Sequence, residues 1–163
     1  MLDNKEYTSQ YLLISFTSAL VVLIIITTFI SYTAEIGREA RINMLKMSQL
    51  QIQSANRMLF SRATILNLQM ANRLDASLLN ETHQGGVLTY GEMLATKDNI
   101  RIFISLDKLF LNEELSMGKL TLYPEGLRGK NCYLAYYQPY ISYNQQGEIE
   151  RQSARYIMNI TQC

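Results

Sequence analysis

The sequence predicts an α+β fold in which one long N-terminal helix, apolar in its first half and amphipathic in its second, packs against a C-terminal antiparallel β-sheet. Three observations carry this prediction. Tyr11 to Tyr32 is an uncharged run without proline. Apolar residues then recur at helical spacing. In the last third of the chain, short β-branched and aromatic runs alternate with turn signals.

The apolar run comes first. At about 1.5 Å per residue it spans roughly 33 Å as a helix, enough to cross the hydrocarbon core of a bilayer. A removable secretory signal has a shorter apolar region and a small residue ahead of the cleavage point, whereas Tyr32 occupies that place in Tyr32-Thr33-Ala34. Val21, Val22, Ile24, Ile25, Ile26, Thr27 and Thr28 are poor helix formers in water, but in lipid only a helix satisfies the backbone. Residues 1–10 then form a cytoplasmic leader or tail, residues 11–33 a transmembrane helix, and residues 34–163 one soluble domain, which includes a helix over residues 34–75.

Past the membrane span, Ile42, Leu45, Ile52, Ala55, Leu59, Ala63, Leu66 and Met70 recur at separations of three, four or seven and define one packing face. Lys46, Ser48, Gln51, Asn56, Arg57 and Ser61 mark the polar side. Gln49 and Arg62 break any clean coiled-coil register. Gly37 is the weak point between the two halves.

Asn80-Glu-Thr-His-Gln-Gly-Gly reads as a loop. Leu94 to Phe110 fits either alternating strand or helix, and Thr96 or Asp98 as an N-terminal signal favours helix. Lys119 to Tyr123, Cys132 to Gln138 and Arg155 to Thr161 read as strands, separated by Pro124-Glu-Gly and Asn144-Gln-Gln-Gly turns.

Charge selects no partner. Fifteen basic residues face fourteen acidic ones without a basic block, which argues against nucleic acid. Lys5 precedes the span and Arg38, Arg41 and Lys46 follow it, so basic residues alone place the domain in the cytoplasm. The cysteines point the other way. Cys132 and the last residue, Cys163, are placed to staple the final strand; a bridge closing about 30 residues contributes roughly 3 to 4 kcal/mol. Two separate buried thiols are the alternative. Bridges persist in oxidising compartments, so the domain is expected outside the cytoplasm.

No residue cluster calls for a cofactor or a metal. His83 stands alone in a glycine-rich loop, Glu113-Glu114 reads as a solvated turn, and catalytic motifs are missing, so no enzyme is expected. Asn80-Glu-Thr and Asn159-Ile-Thr match the short glycosylation pattern. Tyr133, Tyr136, Tyr137, Tyr140 and Tyr143 fit strand propensity, or, more sharply, an amphipathic surface for another subunit or a carbohydrate.

Residues 40–63, ARINMLKMSQLQIQSANRMLFSRA, resemble the corresponding helix of type IV pilins of the mannose-sensitive haemagglutinin kind. Leu88-Thr-Tyr-Gly-Glu-Met-Leu-Ala-Thr96 is similar to that family's turn and helix, and Leu120-Thr-Leu-Tyr-Pro-Glu-Gly126, Cys132 and Cys163 to its strand, turn and terminal disulfide loop. The resemblance covers most of the chain through the order and spacing of motifs that are individually short. It implies a structural subunit of a type IV pilus or a related secretion filament, anchored in the bacterial inner membrane with its C-terminal domain in the periplasm. Its partners would be other pilin subunits, met through the N-terminal helix after extraction; a carbohydrate or cell-surface receptor would belong to an adhesive role.

The sequence departs from the family where processing occurs. Aligned on Ala40-Arg41, the cleavage junction falls near Ser9-Gln10 and Ile14 stands where the family has glutamate. Aligned on local similarity it falls at Ser15-Phe16, with Leu20 in the glutamate's place. Neither alignment supplies the leader's final glycine, and Ser31 lies near the family's helix proline. The family's glutamate pairs a neighbour's terminal amine within the apolar core, where an unpaired charge is costly. The expectations are therefore a minor or atypical subunit, cleaved and methylated, or an uncleaved membrane-anchored assembly factor. A ligand-binding or enzymatic domain ranks third and would need a deep polar pocket.

Overall fold

The computed structural model describes residues 3–79, 84–106 and 108–163, with helix side chains described from Ser15 onward. The fold is α+β, as the sequence predicts. Helix α1 runs Asp3–Ile65, and the chain divides into two compact units, one reaching Ala40 and one from Arg41 to Cys163. In the first unit α1 is apolar and exposed from Ser15 to Ala34 and then carries the charged residues Glu35, Arg38 and Glu39.

In the second unit α1 is the spine of a domain with three small sheets. Strands β1 (Leu74–Asp75), β2 (Val87–Thr89) and β3 (Glu92–Met93) form one. Strands β4 (Leu109–Glu114), β5 (Lys119–Pro124), β6 (Tyr133–Tyr137) and β9 (Arg155–Asn159) form a four-stranded antiparallel sheet in that order. Between β6 and β9 lies a hairpin of β7 (Tyr140–Tyr143) and β8 (Ile149–Gln152). Its turn was anticipated from Asn144-Gln-Gln-Gly; its strands were not.

The core forms where the helical and strand periods meet. Leu45, Ile52, Leu59 and Ala63 of α1 are fully buried with Leu120, Leu122, Leu134 and Tyr136 of the large sheet. Ile42 and Ala55 pack at the edge of this cluster. Two residues of the expected face do not belong to it. Leu66 and Met70 are about half exposed, at 49% and 48%, because the helix ends at Ile65 rather than near residue 75. Asn67 takes a left-handed conformation, φ 56°; Leu68 N donates to Ala63 O and Asn67 N to Thr64 O, the paired bonds of a Schellman stop. Ser48 and Asn56, expected outside, are buried.

The ambiguous segment uses both of its patterns in turn. Helix α2 covers only Lys97–Phe103, capped by Thr96 Oγ1 accepting from Asn99 N, after which Ile104 is extended and β4 follows. Glu113 and Glu114 accordingly lie on a strand rather than in a solvated turn. Glu113 accepts from Lys97 N, and Glu114 pairs with Lys119. The β2–β3 turn, Tyr90-Gly91, has positive φ at both residues, and a Cβ on Gly91 would meet the Phe60 ring at 2.9 Å, so glycine is what lets this turn close against the helix.

Candidate functional site

The first candidate surface is the apolar part of α1. It is long and apolar enough to cross a membrane, with mean hydropathy 2.1 over its most apolar window and none of that window buried. Its few polar atoms are internally satisfied. Ser18 donates to Ser15 O, Thr27 and Thr28 to Ile24 O, Ser31 to Thr27 O and Thr33 to Ile30 O, all within 2.9–3.0 Å. These side chains therefore demand nothing polar from their surroundings.

Of the candidate junctions, Ser15 and Phe16 stand on this helix, Phe16 with 73% of its surface exposed. Ser9 and Gln10 lie in the helical backbone, with side chains outside the description. Leu20, one of the two positions the resemblance aligns with the family's glutamate, is half exposed.

The second feature is a polar lock at the joint between α1 and the sheets. Asn56 Oδ1 accepts from Met93 N at 2.9 Å, and its Nδ2 donates to the hydroxyls of Tyr136 and Tyr156 at 3.2 and 2.8 Å. Tyr136 in turn donates to Met93 O at 2.5 Å. Burial pushes the Tyr136 hydroxyl well above the ordinary phenol range, and pushes Tyr156 up to about 12. Alongside, Glu92 and Arg151 form a largely buried ion pair. The second Glu92 oxygen accepts from Ala154 N, while Arg151 reaches Tyr90 O and Ser153 Oγ and lies 4.1 Å from the centre of the Phe60 ring. Glu92 and Arg151 escaped the sequence reading, and Asn56 was assigned to the polar side of the helix. For Asn56 a signal existed: it occupies a core-spaced position between Ile52 and Leu59.

The third feature is the disulfide. Cys132 and Cys163 are bonded across a separation of 31 residues, with Cα atoms 4.8 Å apart. Gln162 N donates to Asn131 O, Asn131 N donates to Gln162 Oε1, and Arg41 Nε donates to Cys163 O at 2.7 Å, so the closing segment is tied to both the sheet and the helix.

The five tyrosines do not share one surface. Tyr136 points into the core; Tyr133 and Tyr137 alternate to the outer face of the large sheet; Tyr140 and Tyr143, 45% and 72% exposed, are on the β7–β8 hairpin. On the outer face Tyr133 contacts the Tyr123 ring at 5.9 Å, and Arg155 lies 5.3 Å from the centre of the Tyr137 ring.

Among the described residues no three His, Cys, Asp or Glu side chains gather as metal ligands. His83 and Asn80 lie outside the described residues. Asn159 ends β9, and its side-chain oxygen accepts from Thr161 N and Oγ1. Comparison with known proteins finds no matching family model, no matching curated protein and no matching solved structure.

Proposed function

We propose that this chain is a structural, pilin-like subunit, minor or atypical, of a type IV pilus or a related secretion-type filament. The observation that carries this reading is one helix with two kinds of surface. From Phe16 to Ile36 it exposes apolar side chains with self-satisfied hydroxyls; from Arg41 to Ala63 it is the spine of a disulfide-stapled α+β domain. An apolar helix of the first kind exchanges lipid for the helices of neighbouring subunits with little hydrophobic loss, so one segment serves as anchor and then as filament core. The disulfide supports a periplasmic domain and a single inner-membrane crossing before assembly. The filament's subunits are the partners in this reading, with no catalytic role and no cofactor.

The alternative is a permanently anchored assembly factor of such a machine. Leu20 favours it, because a cleaved, charged terminus in an apolar core would lack an acidic partner there. Intact mass and N-terminal sequencing of protein from cells carrying the native machinery separate the two. A mature chain beginning at Gln10 or Phe16 is the expected result. A chain still beginning at Met1 would leave the anchored factor.

A further inference from the structure

Beside the polar lock, wholly within the second unit, lies a cleft of about 370 Å³ between α1 and the β8–β9 turn. This volume is in the range of small-ligand sites. What such a cleft can hold follows from which of its polar atoms are already engaged.

Most are. Both Glu92 oxygens accept bonds, all three Arg151 nitrogens donate, and Asn56 is saturated between Met93 and the two tyrosines. Four donor groups on the lining remain, one of them the Ser153 hydroxyl, which accepts from Arg151 but donates to no described group. Arg57 is exposed, and among the described residues no carboxylate is within salt-bridge distance of it. Tyr156 accepts from Asn56 but donates its own proton to no described group, and a phenol carries that proton at neutral pH whether buried or not. The Gln53 amide is likewise uncommitted.

Charge narrows the choice further. Glu92 and Arg151 cancel, so Arg57 leaves the lining with one net positive charge, matched to a monoanion and to the planar fork of a carboxylate. The remaining walls are mixed: the Phe60 ring and Ala154 give apolar surface between the polar groups. The carboxylate of Glu92, the amide of Gln53 and the hydroxyl of Ser153 retain acceptor capacity for ligand hydroxyls. An apolar acid would leave those acceptors unmatched; a sugar acid presents hydroxyls to them and C–H groups to Phe60 and Ala154.

We propose that this cleft binds a monocarboxylated sugar, its carboxylate held by Arg57 and the Tyr156 hydroxyl and its ring hydroxyls by Gln53, Glu92 and Ser153. This goes beyond the filament reading and stands or falls separately from it.

The test titrates the full chain in detergent micelles with glucuronate, galacturonate and N-acetylneuraminate, with glucose and galactose as neutral counterparts, following tyrosine fluorescence or protein NMR. At least one acid is expected to bind at least roughly tenfold more tightly than the neutral sugars. Arg57→Gln alters an exposed side chain, so its thermal melt should match the parent while the preference for acid disappears. Tyr156→Phe should weaken the acid and leave the neutral sugars unchanged. Equal binding of acid and neutral sugars, no response to any acid at ~10 mM, or an Arg57→Gln variant with the parent's affinity would each overturn the proposal.

Discussion

Residues 15–36 and 41–63 belong to the same helix and solve the same problem in opposite ways. The first stretch is rich in β-branched residues that weaken a helix in water, and its side chains are exposed among the described residues. It needs an apolar environment from outside, lipid or other helices. The second stretch mixes Lys, Gln, Ser and Arg with a narrow inward line of Leu45, Ile52, Leu59 and Ala63, and the chain itself supplies the cover. Each fully buried leucine or isoleucine there contributes about 1.5–3 kcal/mol. Helicity alone therefore says little about where stability comes from; the partner of the apolar face decides.

This difference can be broken most directly by matched substitutions. Ile52→Ala removes a fully buried side chain and should lower the free energy of unfolding by about 2–5 kcal/mol. Ile25→Ala, on the exposed stretch, should change domain stability by less than about 0.5 kcal/mol. Denaturant unfolding of the full chain in micelles, followed by tyrosine fluorescence, measures both; equal losses would mean that the two stretches are not energetically distinct. Next in size is the staple. Replacing Cys132 and Cys163 by serine should cost about 3 to 4 kcal/mol through the freed 31-residue loop. The same variant should partition into membranes like the parent, because the apolar stretch is untouched.

The contrast between these stretches was legible in the sequence because a helix apolar on all sides and a sheet-covered helix differ in composition as well as in period. The cysteine pair and the strands β5, β6 and β9 were legible for similar reasons, through chain position and β-branched or aromatic enrichment. The helix end was not. Asn67 is only one polar residue among several, and nothing in its residue type alone marks it as the left-handed stop. The lock was also hidden, since Asn56, Glu92 and Arg151 are separated widely in sequence and each alone reads as a solvated polar residue. Partners brought together by topology leave no local pattern. The tyrosine cluster misled for the complementary reason: adjacency in sequence alternates across a sheet, so Tyr136 and Tyr137 face opposite ways.

The lock should make the sheet-covered stretch sensitive to alkali. Both Tyr136 and Tyr156 have hydroxyls whose pKa is raised in the folded state, so the folded chain binds more protons than the unfolded one above the ordinary phenol value. Stability is then complete below pH 10 and falls as pH rises toward about 12. Discounted for the partial exposure of Tyr156, its share of the fall should be about 1–2 kcal/mol. Unfolding midpoints measured across that interval should show a shallower decline for Tyr156→Phe than for the parent. An identical decline would assign the alkaline loss elsewhere.

Among the contacts within the domain, the smallest effect should come from the Glu114–Lys119 pair on the outer face of the large sheet, 2.7 Å apart. The hydrogen bond to Glu114 raises the Lys119 pKa, but both side chains are partly exposed, and such a pair exchanges hydration for a contact of nearly equal worth. Glu114→Gln should therefore cost only about 0.5 kcal/mol, and less in high salt. Measured in the same unfolding assay as Ile52→Ala, it sets the lower end of the scale. A loss as large as the core substitution would mean that the sheet's outer face, and not only its contact with the helix, holds the domain together.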